Sequence, residues 1–288
     1  VTTPASDGLA FAFRRHGGGA WTLPGLVANE TVPPDAAALL SVAVERAAAG
    51  LVAGTRGAGK TTALGALLWE LPAATRTVVI EDTPELPVRA LQRRDRDVQA
   101  LRVGTGDEAV LSPTAALRTA LRLGEGALVV GEVRGAEAAT LYEAMRVGAH
   151  GSAVLGTIHG DGGDAVCERV VSDLGVPESS FGATDLVVTL SVEGDGRRVS
   201  RIEEVRTTGD GTRFEPLYEL ADGRLEGTGT VARGNSALVA ALARSDESYA
   251  DLLTTLDERE AHLRELASAD RTRPADVAAA YERRSVDR

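Results

Sequence analysis

The stretch Gly54-Thr55-Arg56-Gly57-Ala58-Gly59-Lys60-Thr61-Thr62 fits G-x-x-x-x-G-K-[ST] and lies between an apolar run and a run of helical spacing. The flanks commit the chain locally. AGLVAG at 49–54 suits a buried strand, and TTALGALLWEL at 61–71 suits a helix packed on one side. A plain strand-to-helix turn would match the pattern alone; with both flanks in place the stretch reads as a phosphate cradle. Glycines let backbone N–H groups turn toward phosphate oxygens, and the helix start adds the positive end of its dipole. Lys60 then reaches the outer phosphates, and Thr61 offers a hydroxyl to Mg²⁺. Lys60 is also the only lysine in the sequence, every other basic residue being arginine. A chain that has shed lysine elsewhere keeps it where a compact ammonium is needed.

At 288 residues there is material for one α/β core and a smaller appendage. The net charge of -11 gives no global basic field for nucleic acid or an anionic membrane surface, so neither is expected as a direct partner. Scarce lysine, abundant acid and few aromatics lean toward salt adaptation, although a GC-rich genome exchanges lysine for arginine too. The single cysteine, Cys167, excludes an internal disulfide or a cysteine zinc cage and reads as a small buried residue. With no apolar run of membrane-spanning length, the chain reads as soluble and intracellular.

Along the chain, the FAFRRH segment at 11–16 reads as a strand, and residues 1–35 as the remnant of an N-terminal domain and its linker. Pro33-Pro34-Asp35 opens an alanine-rich helix that runs to the cradle strand. TVVIED at 77–82 is a strand ending in two acids, where open α/β sheets place their sites. Glu81, directly after the strand, is a candidate functional acid, and Glu85 is balanced between function and a solvated turn. PTAALRTALRL at 113–123 makes a helix with Arg118 and Arg122 on one face, either aimed at a neighbour or ordinary surface charge. ALVV at 127–130 precedes Glu132 and Arg134, an acid placed as the Mg²⁺-side motif of P-loop enzymes requires. His150 and His159 bracket the next strand, and His159 stands at its end, level with Glu81 and Glu132. A zinc pair lacks a third ligand of sensible spacing; a neutral His159 suits a terminal phosphate. Two more strands follow around Glu193-Gly-Asp-Gly, residues 209–229 read as turn-rich, and the remainder as largely helical.

Taken together, GTRGAGKTT, IEDTPEL, VVGEVRGAEA and GAHGS…TIHGD resemble the Walker A, Asp, Walker B and His boxes of the type II/type IV secretion ATPase superfamily. Its archaeal pilus and archaellum members are the most similar. The resemblance implies an α/β fold: a RecA-like P-loop core, a mostly parallel sheet flanked by helices over 36–222, with a C-terminal helical appendage at 223–288. It implies Gly54 to Thr62 as the ATP-binding loop, Thr61 and Glu132 as the Mg²⁺ side, and Glu81, Glu132, His159, Arg118 and Arg134 as catalytic. Either Glu81 or Glu132 orients the water, with Glu81 favoured. It further implies a homo-oligomeric ring of six, docked on a polytopic membrane platform protein, at the cytoplasmic face, touching membrane only through that partner. Arg14 and Arg15 fall in the family's interdomain segment. Gly124-Glu125-Gly126 replaces the family's usual Pro-Asp pair, and Gly160-Asp161-Gly162 its Ala-Asn-Ser. A nucleic-acid translocase and a non-catalytic ATP-binding assembly module are the rival readings.

Overall fold

The computed structural model describes residues 20–104, 111–124, 126–147, 153–194, 196–209 and 211–286. The FAFRRH segment with Arg14 and Arg15, Glu125 and His150 lie outside the described residues. The N-terminal part holds α1 (Leu23–Ala28), α2 (Pro34–Glu45), β1 (Gly50–Gly54), α3 (Lys60–Leu67), β2 (Thr77–Glu81), α4 (Val88–Gln92) and β3 (Val98–Arg102). Then come α5 (Pro113–Ala120), β4 (Ala127–Val130), α6 (Glu137–Val147), β5 (Val154–Ile158), α7 (Gly163–Glu168) and α8 (Glu178–Phe181). The chain finishes with β6 (Leu186–Glu193), β7 (Gly196–Thr208), β8 (Gly211–Ala221), β9 (Arg224–Gly227), α9 (Ala237–Leu242), α10 (Tyr249–Ser268) and α11 (Pro274–Val286).

The strands form one sheet in the order β3-β2-β4-β5-β1-β6-β7-β8-β9, parallel as far as β6 and antiparallel beyond it. Both faces of the central parallel strands are covered, which is why β1, β4 and β5 are buried along their whole length, whereas the edge strand β3 carries Gln99 and Arg102. Side chains still alternate between two cores. Val52, Val79 and Val129 pack under α1 to α4, α9 and α10, whereas Leu51, Ile80 and Val130 pack under α5 to α8. The expected mostly parallel α/β core with a C-terminal helical part is therefore present.

Three local details depart from the reading of the sequence. Thr22 caps a short helix, α1, that the Trp21 to Leu26 stretch did not announce. The turn-rich stretch at 209–229 holds β8 and β9: Gly211 and Gly223 take positive φ at the turns before and after β8, which pairs with β7 across one register shift opposite Ile202/Glu203 and with β9. The sheet thus runs on to Gly227. The alanine-rich helix ends at Glu45, capped by Arg46. One difference from the family pattern has a steric reason. A Cβ on Gly126 would come within 2.1 Å of the Arg76 carbonyl, so glycine admits β4 beside the start of β2.

The C-terminal helices are fastened by buried charge. In α10, Leu252, Leu256, Arg259, Leu263 and Leu266 form one buried stripe, and the helix lies on α2 and α1. Arg259, 3% exposed, pairs with Glu45 and Ser41 and lies 3.9 Å from the fully buried Glu70. Glu70 accepts from Ser41 at 2.5 Å and from Tyr281 at 2.6 Å. Burial pushes the Glu70 carboxyl above its ordinary range against the pull of Arg259. Removing one member strands the others: Arg259→Leu should cost about 3–5 kcal/mol, read as a lower urea midpoint. A midpoint within error of wild type would show that the cluster holds nothing.

Candidate functional site

The glycine-rich loop leaves β1 at Gly54, where φ is +146 and a Cβ would stand 2.5 Å from the Leu190 carbonyl. Only glycine fits between β1 and β6 at that bend. Thr55, Arg56 and Gly57 form an exposed rim, Ala58 is buried, and Gly59 precedes α3. Thr61 and Thr62 sit half-buried in the first turn of α3. The loop is shaped around its lysine. Lys60, 8% exposed, donates to the carbonyls of Gly54 and Thr55, each at 3.0 Å, and lies 3.4 Å from His159 Nδ1. Burial lowers the Lys60 pKa; Glu132 raises it in part, and Arg134 lowers it further.

His159 links the lysine to an acid. Its Nε2 lies 2.9 Å from Glu132 Oε1, so the partners assign a proton to Nε2 and leave Nδ1 to accept from Lys60. Glu132 also binds Arg134, whose second arm reaches Asp82 at 3.2 Å. Burial alone would raise the Glu132 carboxyl. The Arg134 hydrogen bond and charge, aided by His159 and Lys60, outweigh it and hold the carboxyl below its ordinary range. The backbone is locked as well: Thr157 Oγ1 donates to the Gly131 carbonyl at 2.6 Å, and Val133 N to the Thr157 carbonyl at 2.8 Å. Glu137, at the start of α6, accepts from the N–H groups of Arg134 and Gly135.

Glu81 ends β2 beside this chain of contacts; a Cβ on Gly131 would lie 3.1 Å from Glu81 Cβ. Its Oε2 accepts from the N–H groups of Glu85 and Leu86 at 3.0 and 3.1 Å, so the acid also folds the loop after β2. Burial pushes its pKa up, and those two hydrogen bonds offset only part of the shift. Lys60, His159, Glu132 and Arg134 thus form one contact chain, with Glu81 next to it. Arg118 stands apart. It is exposed in the last turn of α5, with no hydrogen bond or ion pair among the described residues. Cys167 is half-buried on α7, its thiol pushed up by burial.

Two contacts escaped the sequence reading. Asp82, the second acid of the strand end, pairs with Arg134, and Arg197 of β7 donates to the Gly57 carbonyl at 2.7 Å. The doubled acid at 81–82 was a usable signal for the first. Nothing local marks the second, since 140 residues separate its partners.

The loop, Thr61 and Glu132 suit a nucleotide with Mg²⁺: the cradle is open beside Gly57, where a Cβ would meet nothing within 4 Å, and the donors are hard oxygens. No helix among the described residues is long and apolar enough to cross a membrane.

A putative conjugal transfer protein of Mycobacterium tuberculosis is 36% identical over 171 residues, covering 58% of this chain and 46% of that protein. The type IV secretion system protein PtlH of Bordetella pertussis is 37% identical over 134 residues, covering 46% of this chain and 38% of its own length. The chain thus spans less than two thirds of these curated relatives. Among solved structures, the VirB11 ATPase of the Brucella suis type IV secretion system, in complex with sulphate, aligns at 26% identity. That alignment covers 57% of this chain and 50% of that one, with a TM-score of 0.49. The family described as type II/IV secretion system protein matches residues 2–192, well over half of the sequence, and the chain belongs to that family.

Proposed function

We propose that this chain is the motor part of a Mg²⁺-dependent ATPase that powers a type IV pilus-like or archaellum filament, or type II/IV secretion. The observation that carries the reading is the contact chain from Lys60 through His159 to Glu132 at the open mouth of the glycine loop. The bound metal would supply charge neutralisation between the outer phosphates. Lys60 exchanges two loop carbonyls for phosphate oxygens, and its release frees His159 Nδ1. Thr61 and Glu132 hold the metal side. Glu81 orients the attacking water.

The two acids are driven apart electrostatically, which supports this division. Burial raises Glu81, a property suited to a group that takes a proton, whereas cationic neighbours keep Glu132 ionised beside a metal. Arg134 steadies Glu132, and the reading gives Arg118, exposed and unengaged among the described residues, to the site of a neighbouring subunit. That role extends the reading to a homo-oligomeric ring of six on a polytopic membrane platform at the cytoplasmic face. The division into a core over 36–222 and a C-terminal helical region over 223–288 belongs to the same proposal, with the amendment that β9 at the start of the second part completes the sheet before α10 rests on α2.

Steady-state Mg²⁺-ATP hydrolysis against protein concentration is the test. Specific activity should rise as subunits assemble, and Arg118→Ala should lower turnover in the assembled protein by about 10³ to 10⁵. Near-normal turnover in an assembled variant would remove Arg118 from catalysis; no hydrolysis by wild type at any concentration would remove the motor reading. Glu81→Gln should lower kcat about 10² to 10⁴-fold with KM little changed. Because burial raises Glu81, wild-type activity should fall with acid through an apparent pKa above the ordinary glutamate range. A limb at the ordinary carboxylate value would contradict the assignment of Glu81 as base.

A further inference from the structure

The two neighbours of β1 divide the surroundings of the loop. On one side β5 brings His159, and β4 beyond it brings Glu132 and Arg134. On the other side lies β6, in register with β1 as far as Gly54 opposite Leu190. A bulge between Thr189 and Leu190 interrupts the β6–β7 pairing at that level, and bulges bend a strand and re-aim its side chains. Beyond the bulge Arg197 faces Val192 in register, and its Nε donates to the Gly57 carbonyl at 2.7 Å. Its stem covers the loop: a Cβ on Gly59 would lie 3.3 Å from Arg197 Cδ. The adjacent Arg198 takes the opposite face, donating to the Gly223 carbonyl at 2.6 Å, with Glu30 at 4.0 Å. Strand alternation therefore places Arg197, not Arg198, over the loop. Among the described residues no carboxylate pairs with Arg197, and its Nη1 and Nη2 have no hydrogen-bond partner.

We propose that Arg197 contacts the nucleoside end of the bound nucleotide, its guanidinium plane lying against the base. The inference rests on the nucleotide function proposed above. A terminal phosphate at Lys60, His159 and Glu132 fixes one end of the ligand on the β5 side, so the nucleoside extends past β1 toward the β6–β7 hairpin. Among the described residues of that hairpin, Arg197 is the arginine bonded to the loop. A guanidinium is flat, weakly hydrated and able to stack on a base while keeping its Nε bond to the loop.

Titration calorimetry on the full chain with ADP and with pyrophosphate, each with Mg²⁺, tests the assignment in wild type and Arg197→Ala. ADP should bind the variant about tenfold more weakly, the scale of one lost stacking contact, while pyrophosphate affinity stays unchanged. Retained pyrophosphate binding also reports that the loop is intact. An equal loss for both ligands would make Arg197 a brace of the loop and overturn the inference, as would equal ADP affinity in the two proteins. If wild type binds neither ligand, the nucleotide function itself falls and takes this inference with it.

Discussion

The site depends on where one ammonium goes. Lys60 is buried at the start of α3, and burial penalises its charge. The loop compensates by turning the Gly54 and Thr55 carbonyls inward, and His159 offers a third acceptor. That arrangement is a stand-off between desolvation and hydrogen bonding, and an anion of several oxygens resolves it better than two neutral carbonyls do. His159 and Glu132 are tied to the same charge, so whatever draws Lys60 outward loosens the histidine and the acid together. The loop, the end of β5 and the turn after β4 are thereby linked as one unit.

The sheet makes that unit possible. The register that sets Gly54 beside Leu190, and Val52 beside Thr157, brings the carboxyl ends of β1, β4 and β5 to one level. Thr157 then ties β5 to the turn after β4. Behind the loop, α10 packs on α2 and α1, and its one buried arginine ties Glu45, Ser41 and Glu70 into a single polar cluster. Glu70 lies just past the C-cap of the helix that begins with Lys60, so the cluster anchors the far end of α3.

The candidate residues stood out because each lies at or just past the end of an apolar strand. Glu81, Glu132 and His159 are placed this way; His159 joins Lys60 to Glu132 by contact, and Glu81 stands beside that chain. The helical character of the C-terminal remainder was equally plain. What the sequence hid falls into two kinds. Contacts between distant strands carry no local signal, so Arg197 over Gly57 was out of reach. Glycine in the 209–229 stretch was also read only as a breaker, although Gly211 between β7 and β8 and Gly223 between β8 and β9 supply the positive φ that lets those strands turn and pair. Arg259 shows a related limit: an arginine in a helical stretch carries no local sign of burial, which here depends on acids from α2 and the segment after α3.

Because the sequence contains a single lysine, lysine-selective ¹⁵N labelling gives one side-chain ammonium resonance, and that signal tests the central claim directly. Its titration should report a pKa below the ordinary lysine value, in line with burial. Adding Mg²⁺-ADP should move the resonance and raise that pKa, as two carbonyls give way to phosphate oxygens. An ordinary lysine titration that ignores the nucleotide would contradict the account at its root.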